Sequence, residues 1–329
     1  MNFYEIKCYI NEGKYNTAVI ENVKHLIKNY NLFLKKSWEN GYHISLYGFL
    51  DNEKFRSISE KLSKVIKSFP SPIYDDKEFK LKYYPVAKLL RKTEALHPIY
   101  QNTVCTTKIE DHYIFQNQKQ LEVYSAIHNI FDEYYLDRYF KKNDIVSITK
   151  DLLTFIKTLP ERILQDKPLM VSNGYISHLS HFIGFLHSLK QEERERIRNE
   201  FNIRRDKDLL KLKQNDTSKT NKTFIHNLTT IHRLISNLIE QGFIDFYSPN
   251  TLEDVKEKLE FASERHKQVH LESSNKNLII KDNVLCTNRW ILNVLYEKLV
   301  LLEIKPLDKF YMNFLLSSVR FTDTQIGGV

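Results

Sequence analysis

The chain has 329 residues, 42% hydrophobic and 27% charged, and its 49 Lys plus Arg against 41 Asp plus Glu give a formal net charge of +8. This is a globular composition, which excludes disorder as the overall state and allows one large core or two smaller ones. Eight Gly and eight Pro exclude a collagen-like or turn-dense all-β chain, while 20 Phe and 19 Tyr need an interior, so a helix-rich, aromatic-filled fold is expected.

Phe3 to Ile10 nearly alternates apolar with polar residues and predicts a strand, stopped by Asn11-Glu12-Gly13. Val19, Val23, Leu26, Ile27 and Tyr30 fall at helical spacing and predict an amphipathic helix over 16–30. Alternation returns at His43 to Tyr47, and Asp51-Asn52 can cap a second helix running to about Ser68. The result is an α+β opening of about 70 residues, closed by Phe69-Pro70-Ser71-Pro72 because proline stops a helix.

Lys77-Glu78-Phe79-Lys80-Leu81-Lys82-Tyr83-Tyr84, followed by Lys88, Arg91 and Lys92, interleaves cations with aromatics. It reads as a half-buried strand with a lysine face, as a dock for an acidic peptide, or as a nucleic-acid surface. Of the 49 basic residues 36 are Lys and 13 Arg, which weighs against sequence-specific nucleic-acid reading by Arg forks. Beyond residue 121 the periodicity is helical: 121–140, 145–159, 174–189, 224–241, 252–266, 290–302 and 307–319. The polar stretch Arg204 to Lys222, with seven basic and three acidic residues, is expected to be a solvated loop. The fold expectation is therefore α+β and predominantly helical. It comprises an N-terminal α+β unit over 1–120 and a helical region over 121–329, integrated into one catalytic domain.

Three scattered cysteines, Cys8, Cys105 and Cys286, do not make a disulfide framework or a zinc ribbon. The charged N-terminus does not read as a signal peptide and no run of eighteen apolar residues occurs, so a soluble cytoplasmic protein is expected. The glycines form neither a dinucleotide fingerprint nor a phosphate loop, and no Ser elbow is present. His266 and His270, and His178, His181 and His187, share helical faces without a completing ligand set, so no metal is expected.

Two segments carry a family likeness. Phe33-Leu34-Lys35-Lys36-Ser37-Trp38-Glu39-Asn40-Gly41-Tyr42-His43-Ile44-Ser45-Leu46 resembles the aromatic, basic, Trp, Gly-Pro-His and strand signature of thiopeptide-type bacteriocin biosynthesis proteins. That family contains the elimination domain of lantibiotic dehydratases. Asn288-Arg289-Trp290, with Leu299 to Tyr311, resembles its C-terminal Asn-Arg helix and closing helix. The departures matter as much. Ser45 and Tyr47 stand where eliminating members carry Arg, the Glu-Arg-Tyr-Gly-Gly run is missing, and no His precedes Asn288. The chain is most similar to the stand-alone pyridine synthases of thiocillin- or micrococcin-type pathways.

The resemblance implies a cofactor-free macrocyclase. It would join two dehydroalanines of a modified precursor peptide by a formal aza-[4+2] cycloaddition, then lose water and expel the leader to leave a pyridine. The alternatives are the glutamate-elimination component of a split dehydratase, and a non-catalytic peptide- or RNA-binding adaptor. The first reaction needs orientation, a general acid and a general base. The catalytic candidates are His43, opening a strand, Tyr175 and His178 on one helix face, and Arg289 with its fork near a helix start. Tyr42, Ser45, Tyr47, Ser172, Asn288 and Trp290 are candidates for holding substrate. An acidic leader suits Lys77, Lys80, Lys82, Tyr83, Lys88, Arg91 and Lys92, with the 204–222 stretch second, and a partner strand is expected to add near Phe3 to Ile10. The partners implied are the precursor peptide and other pathway enzymes, with no nucleic acid and no membrane.

Overall fold

A computed structural model of the chain describes residues 1–10, 13, 15–70, 75–90, 92–109, 117–159, 175–213, 222–244 and 283–321. The chain divides into two compact units, residues 1–142 with 297–303, and residues 143–296 with 304–329.

The first unit is built on a four-stranded antiparallel sheet in the order β2-β3-β1-β4, formed by β1 (Asn2–Tyr9), β2 (Phe33–Ser37), β3 (His43–Leu50) and β4 (Thr103–Lys108). Period-two alternation gives the sheet two chemically different faces. Ile6, Cys8, Leu34, Ile44, Leu46 and Leu50 are buried on one of them. Helices α1 (Asn16–Tyr30) and α2 (Asn52–Lys67) pack there through Val19, Val23, Leu26 and Ile27, and through Ile58, Leu62 and Ile66. Asp51 caps α2 as expected, accepting the Lys54 N–H at 2.8 Å. Gly48 lies so close to Leu32 that a Cβ would sit 2.4 Å from its side chain, and Gly41, at φ +114°, approaches the Tyr100 carbonyl equally tightly. Gly41 excludes larger residues, since its φ is positive and its neighbour is backbone, whereas at Gly48 the tip of Leu32 would have to shift.

Two expectations are corrected in this unit. The 77–92 segment is not a strand: helix α3 (Asp76–Leu90) starts at Asp75, whose carboxylate accepts the Lys77 N–H at 2.8 Å. The alternation Phe79, Leu81, Tyr83 mimics period two. The residues that pack are instead Phe79, Tyr83 and Ala87, four apart, against Leu96, Trp38 and Ile99. Strand β1 is not an edge either, because it pairs with β3 on one side and β4 on the other. Helix α4 (Gln118–Tyr135) follows β4, with Asn117 as its cap.

The second unit is helical throughout its described residues: α5 (Ile145–Ile156), α6 (Tyr175–His187), α7 (Gln191–Lys213), α8 (Lys222–Glu240), α9 (Asn283–Leu301) and α10 (Pro306–Phe321). The last turn of α9 belongs to the first unit. Residues 311–318 of α10 are all buried, the mark of a central helix. It packs on α5, α6 and α7.

The loop expected from Arg204 is the second half of α7 as far as Lys213. The whole helix contains no Gly or Pro and buries Ile197, Phe201, Leu209 and Leu212, with an Arg196–Glu200 pair bracing its first half and a Lys211–Asp208 pair its second; residues 214–221 of the expected loop lie outside the described residues. The expected helix over 252–266 lies outside the described residues. The α+β, mainly helical class holds.

Candidate functional site

The second face of the sheet carries a row of polar groups beside an apolar cluster of Phe3, Phe33, Tyr47 and Phe49 packed on Leu121. Its register aligns Ser37, His43, Tyr9 and Thr103, then Lys35, Ser45, Lys7 and Cys105, then Phe33, Tyr47, Glu5 and Thr107 in cross-strand rows. A sheet normally buries one face and leaves the other to water. Here Glu5 is only 9% exposed and Ser45 1%, so the polar groups are drawn into the structure and must satisfy one another.

Glu5 Oε1 accepts a hydrogen bond from Tyr47 OH at 2.5 Å and another from Ser45 Oγ at 3.0 Å, while Lys7 Nζ stands 3.5 Å from Oε2. Burial, reinforced by the neighbouring carboxylate, pushes the Tyr47 phenol far above its ordinary range, so it keeps its proton. Beside it, Tyr124 OH from α4 donates to Glu297, lying 2.7 Å from Oε1 and 2.9 Å from Oε2, and Lys35 Nζ pairs with Oε2 at 2.7 Å. The Lys35 ammonium also lies over both rings, 5.4 Å from the Tyr47 centroid and 4.9 Å from that of Tyr124. Phe33 stacks on Tyr47 at 5.2 Å and fixes the plane of its ring. The cluster thus holds two phenol–carboxylate pairs bridged by one ammonium. It offers donors and acceptors side by side on three strands and two helices, the arrangement a proton transfer across an amide requires.

Burial also sets the histidines nearby. His43 is 2% exposed under the Tyr9 ring, with Nδ1 2.9 Å from the Gly41 carbonyl, so Nδ1 carries the proton. Desolvation lowers its pKa and the ring is neutral. Fully buried His128 is stacked on Phe33 at 4.3 Å, and burial together with Lys298 and Lys35 holds it well below its ordinary pKa. Tyr42 is corrected from a substrate contact to a core residue: it is 1% exposed and its hydroxyl donates to Asn16 Oδ1 at 2.8 Å.

In the second unit, His178 on α6 places Nδ1 2.6 Å from Asn313 Oδ1, which also accepts from Tyr296 OH at 2.9 Å. Desolvation lowers its pKa to about 4. His178 and Asn288 share a small cavity with Leu152, Phe155, Ile156, Ile291 and Leu292, with room for about one water molecule. His232, likewise depressed to about 4 mainly by burial, lies nearby against Phe155. Asn288 and Arg289 are not at a helix start. Helix α9 begins at Asn283 and Cys286 and Thr287 continue its buried stripe, so the terminal amides lie more than a turn away. Trp290 is buried on the same helix. Tyr175 opens α6 as expected, and Ser172 lies outside the described residues.

Of the expected leader contacts, Lys77, Lys80, Lys82 and Lys88 are exposed on α3, whereas Tyr83 stacks half-buried on Trp38 at 5.6 Å. Lys92 pairs with Glu39 at 2.6 Å, and Arg91 lies outside the described residues. Among the described residues no three His, Cys, Asp or Glu gather as a metal site, and no helix is long and apolar enough to cross a membrane.

Sequence reasoning therefore brought His43, Ser45 and Tyr47 to one sheet face but missed Glu5, Lys7, Lys35, Tyr124 and Glu297. The signal for the strand residues was present in the alternation of Glu5 and Lys7 inside an otherwise apolar β1. Glu297 gave none, because its partners are distant in sequence.

No protein-family model and no curated protein matches the sequence. Among solved structures the chain is similar to the pyridine synthase TbtD from thiomuracin biosynthesis. The TM-score is 0.65 at 14% identity, over 98% of this chain and 99% of that one. It is also similar to TsrL, with a TM-score of 0.59 at 11% identity over 97% and 94% of the two chains. At these identities the likeness is one of fold, and it extends over nearly the whole of each chain.

Proposed function

We propose that this chain is a pyridine synthase that acts on a modified precursor peptide. The observation that carries the reading is the end-to-end similarity of fold to TbtD, itself a pyridine synthase. The motif resemblance at Phe33–Leu46 and Asn288–Tyr311, reached independently from sequence, supports the same family. In this reading one amide of the substrate tautomerises to its imidic acid and adds to a second dehydroalanine. The ring then loses water, and the leader departs as its carboxamide.

The polar sheet face has the groups for the first step. Tyr47 oxygen takes the amide N–H proton as its own proton passes to Glu5, and Lys35 or Lys7 donates to the amide oxygen. Three adjacent strands hold these groups, Glu5 and Lys7 on β1, Lys35 on β2 and Tyr47 on β3, so positioning supplies much of the rate. His43, too buried to reach the substrate, is assigned to positioning the Gly41 turn and strand β3, and Ser45 to orienting Glu5. His178, as deeply buried as His43, is assigned to holding Asn313, and Tyr175 and Arg289 remain the candidates for the later steps. The exposed lysines of α3 are assigned to an acidic leader.

The test is incubation of the purified chain with precursor already bearing thiazoles and dehydroalanines. A pyridine macrocycle and a leader carboxamide, detected by mass spectrometry, are expected. Recovery of unchanged linear peptide from a competent substrate would reject the assignment.

A further inference from the structure

The two edges of the sheet are finished differently. On the β2 side, Leu34 N–H donates to Asp132 Oδ2 at 2.8 Å and Leu34 C=O accepts from Lys298 Nζ at 2.7 Å. A buried ion pair of 2.6 Å thus occupies the place of a neighbouring strand. On the β4 side two bonds fix the phase of the ladders. Ile109 N–H donates to Phe3 C=O at 2.9 Å, so the odd-numbered residues of β1 bond toward β4, and Ile10 N–H donates to Tyr42 C=O at 3.1 Å, so the even-numbered ones bond toward β3. It follows that Thr103, Cys105 and Thr107 turn their main-chain groups inward to β1, and Val104 and Thr106 turn theirs outward. Neither Val104 nor Thr106 has an outward main-chain partner among the described residues. Residues 106–108 are exposed and the strand holds no proline, so among the described residues Lys108 is the main guard of this edge against pairing.

We propose that the outer edge of β4 docks an extended stretch of the peptide substrate as a fifth strand, laddered to the N–H and C=O groups of Val104 and Thr106. The proposal rests on the reading of the chain as a peptide-modifying enzyme and names where that peptide is held. Alternate side chains of the added strand lie beside Thr103, Cys105 and Thr107, on the face that carries Lys7, Glu5, Ser45 and Tyr47. A thiazole has no main-chain N–H, so the laddering stretch is the unmodified peptide adjoining the heterocyclic core. Backbone pairing of this kind tolerates many side chains and leaves specificity to the groups on either face.

The experiment follows amide exchange in the wild-type chain with and without the synthetic thiazole- and dehydroalanine-bearing precursor, alongside peptide titrations of two variants. Slowed exchange at Val104 and Thr106 is expected. Thr106→Pro removes an outward donor while sparing the β1 ladder and should weaken binding about three- to tenfold, whereas Thr106→Ala, which keeps the N–H, should bind like wild type. If the wild type converts the precursor but Val104 and Thr106 exchange as in the free protein, the edge is not the dock and only this proposal falls. If the peptide protects the edge but is never converted, the edge stands and the pyridine-synthase reading falls. Absence of both binding and conversion overturns the two together. Should Thr106→Pro fail to fold, the exchange measurement on the wild type still decides.

Discussion

Tyr47 and Glu5 share the shortest hydrogen bond of the polar sheet face, and their behaviour on substitution separates chemistry from support. Tyr47→Phe keeps the ring that Phe33 stacks on but removes the proton path, and Glu5→Gln keeps the shape but not the acceptor. Each is expected to slow pyridine formation about 10²- to 10⁴-fold, the usual worth of a positioned acid or base, with an unchanged far-UV circular dichroism spectrum. Ser45→Ala, which removes only an orienting bond, should cost less; equal losses for all three would mean that the cluster is structural. His178 and His232 make a second prediction. Their native pKa values are about 4 against an ordinary 6.5. As pH falls from 6.5 to 4 the unfolded chain takes up protons that the native chain refuses, so stability is lost through this window, by roughly 3 kcal/mol for each histidine once it is complete. Urea melts between pH 7 and 4 should show the decline, and His178→Gln, with no titrating ring, should make it shallower. An unaltered slope in that variant would contradict the burial argument.

Helix α4, strand β2 and the last turn of α9 meet at the Asp132–Lys298 pair, both members of which are 0% exposed. Desolvation outweighs attraction here: the Lys298 pKa is lowered to about 8 and that of Asp132 is raised. The pair persists because Tyr139 OH donates to Asp132 at 2.5 Å and because Leu34 needs both partners. Asp132→Asn or Lys298→Met alone should cost about 3–5 kcal/mol in chemical denaturation. Replacing an ordinary buried pair by apolar residues is often neutral. In this chain the double variant Asp132→Leu with Lys298→Met should remain destabilised, because the Leu34 N–H and C=O are each orphaned at about 1–3 kcal/mol; recovery to wild-type stability would show that the strand edge does not depend on the pair. Elements whose pattern is local were legible in the sequence, among them α1, the Asp51 cap of α2, and α5, α8 and α10. The misreadings have physical causes. In α3 alternation and four-residue spacing coincide at Phe79 and Tyr83, and only the tertiary partners Trp38 and Leu96 decide between them. In α7 the charged residues that suggest a loop are good helix formers. β1 has a recognisable strand pattern but nothing local that tells a central strand from an edge, because that depends on β4, nearly a hundred residues away.

At the scale of the whole molecule the formal charge of +8 acquires a place. The mainly helical α+β class was legible from periodicity along the chain, whereas the candidate site was legible only in part, since Glu297 joins Tyr124 and Lys35 across distances in sequence that no motif spans. The excess of lysine is visible on α3, where Lys77, Lys80 and Lys88 surround Leu81, 82% exposed, and Tyr84, 52% exposed. A monomeric surface rarely exposes adjoining large apolar groups, and on α3, where the lysines outnumber the exposed Asp76 and Glu78, the complement of such a surface is an acidic amphipathic segment. The cations should govern encounter and the apolar pair should govern residence. Charge reversal at Lys77, Lys80 and Lys88 is therefore expected to raise KM about tenfold, to leave kcat within about twofold, and to flatten the dependence of kcat/KM on ionic strength, since a Debye length of about 10 Å at 0.1 M screens only exposed charges. Leu81→Ser should raise KM through faster dissociation while preserving the salt dependence. Both variants are read by steady-state mass spectrometry across a salt series. A fall in kcat at unchanged KM would move α3 from leader capture to the chemistry itself, and no change in either constant would leave the positive surface without a part in recognition.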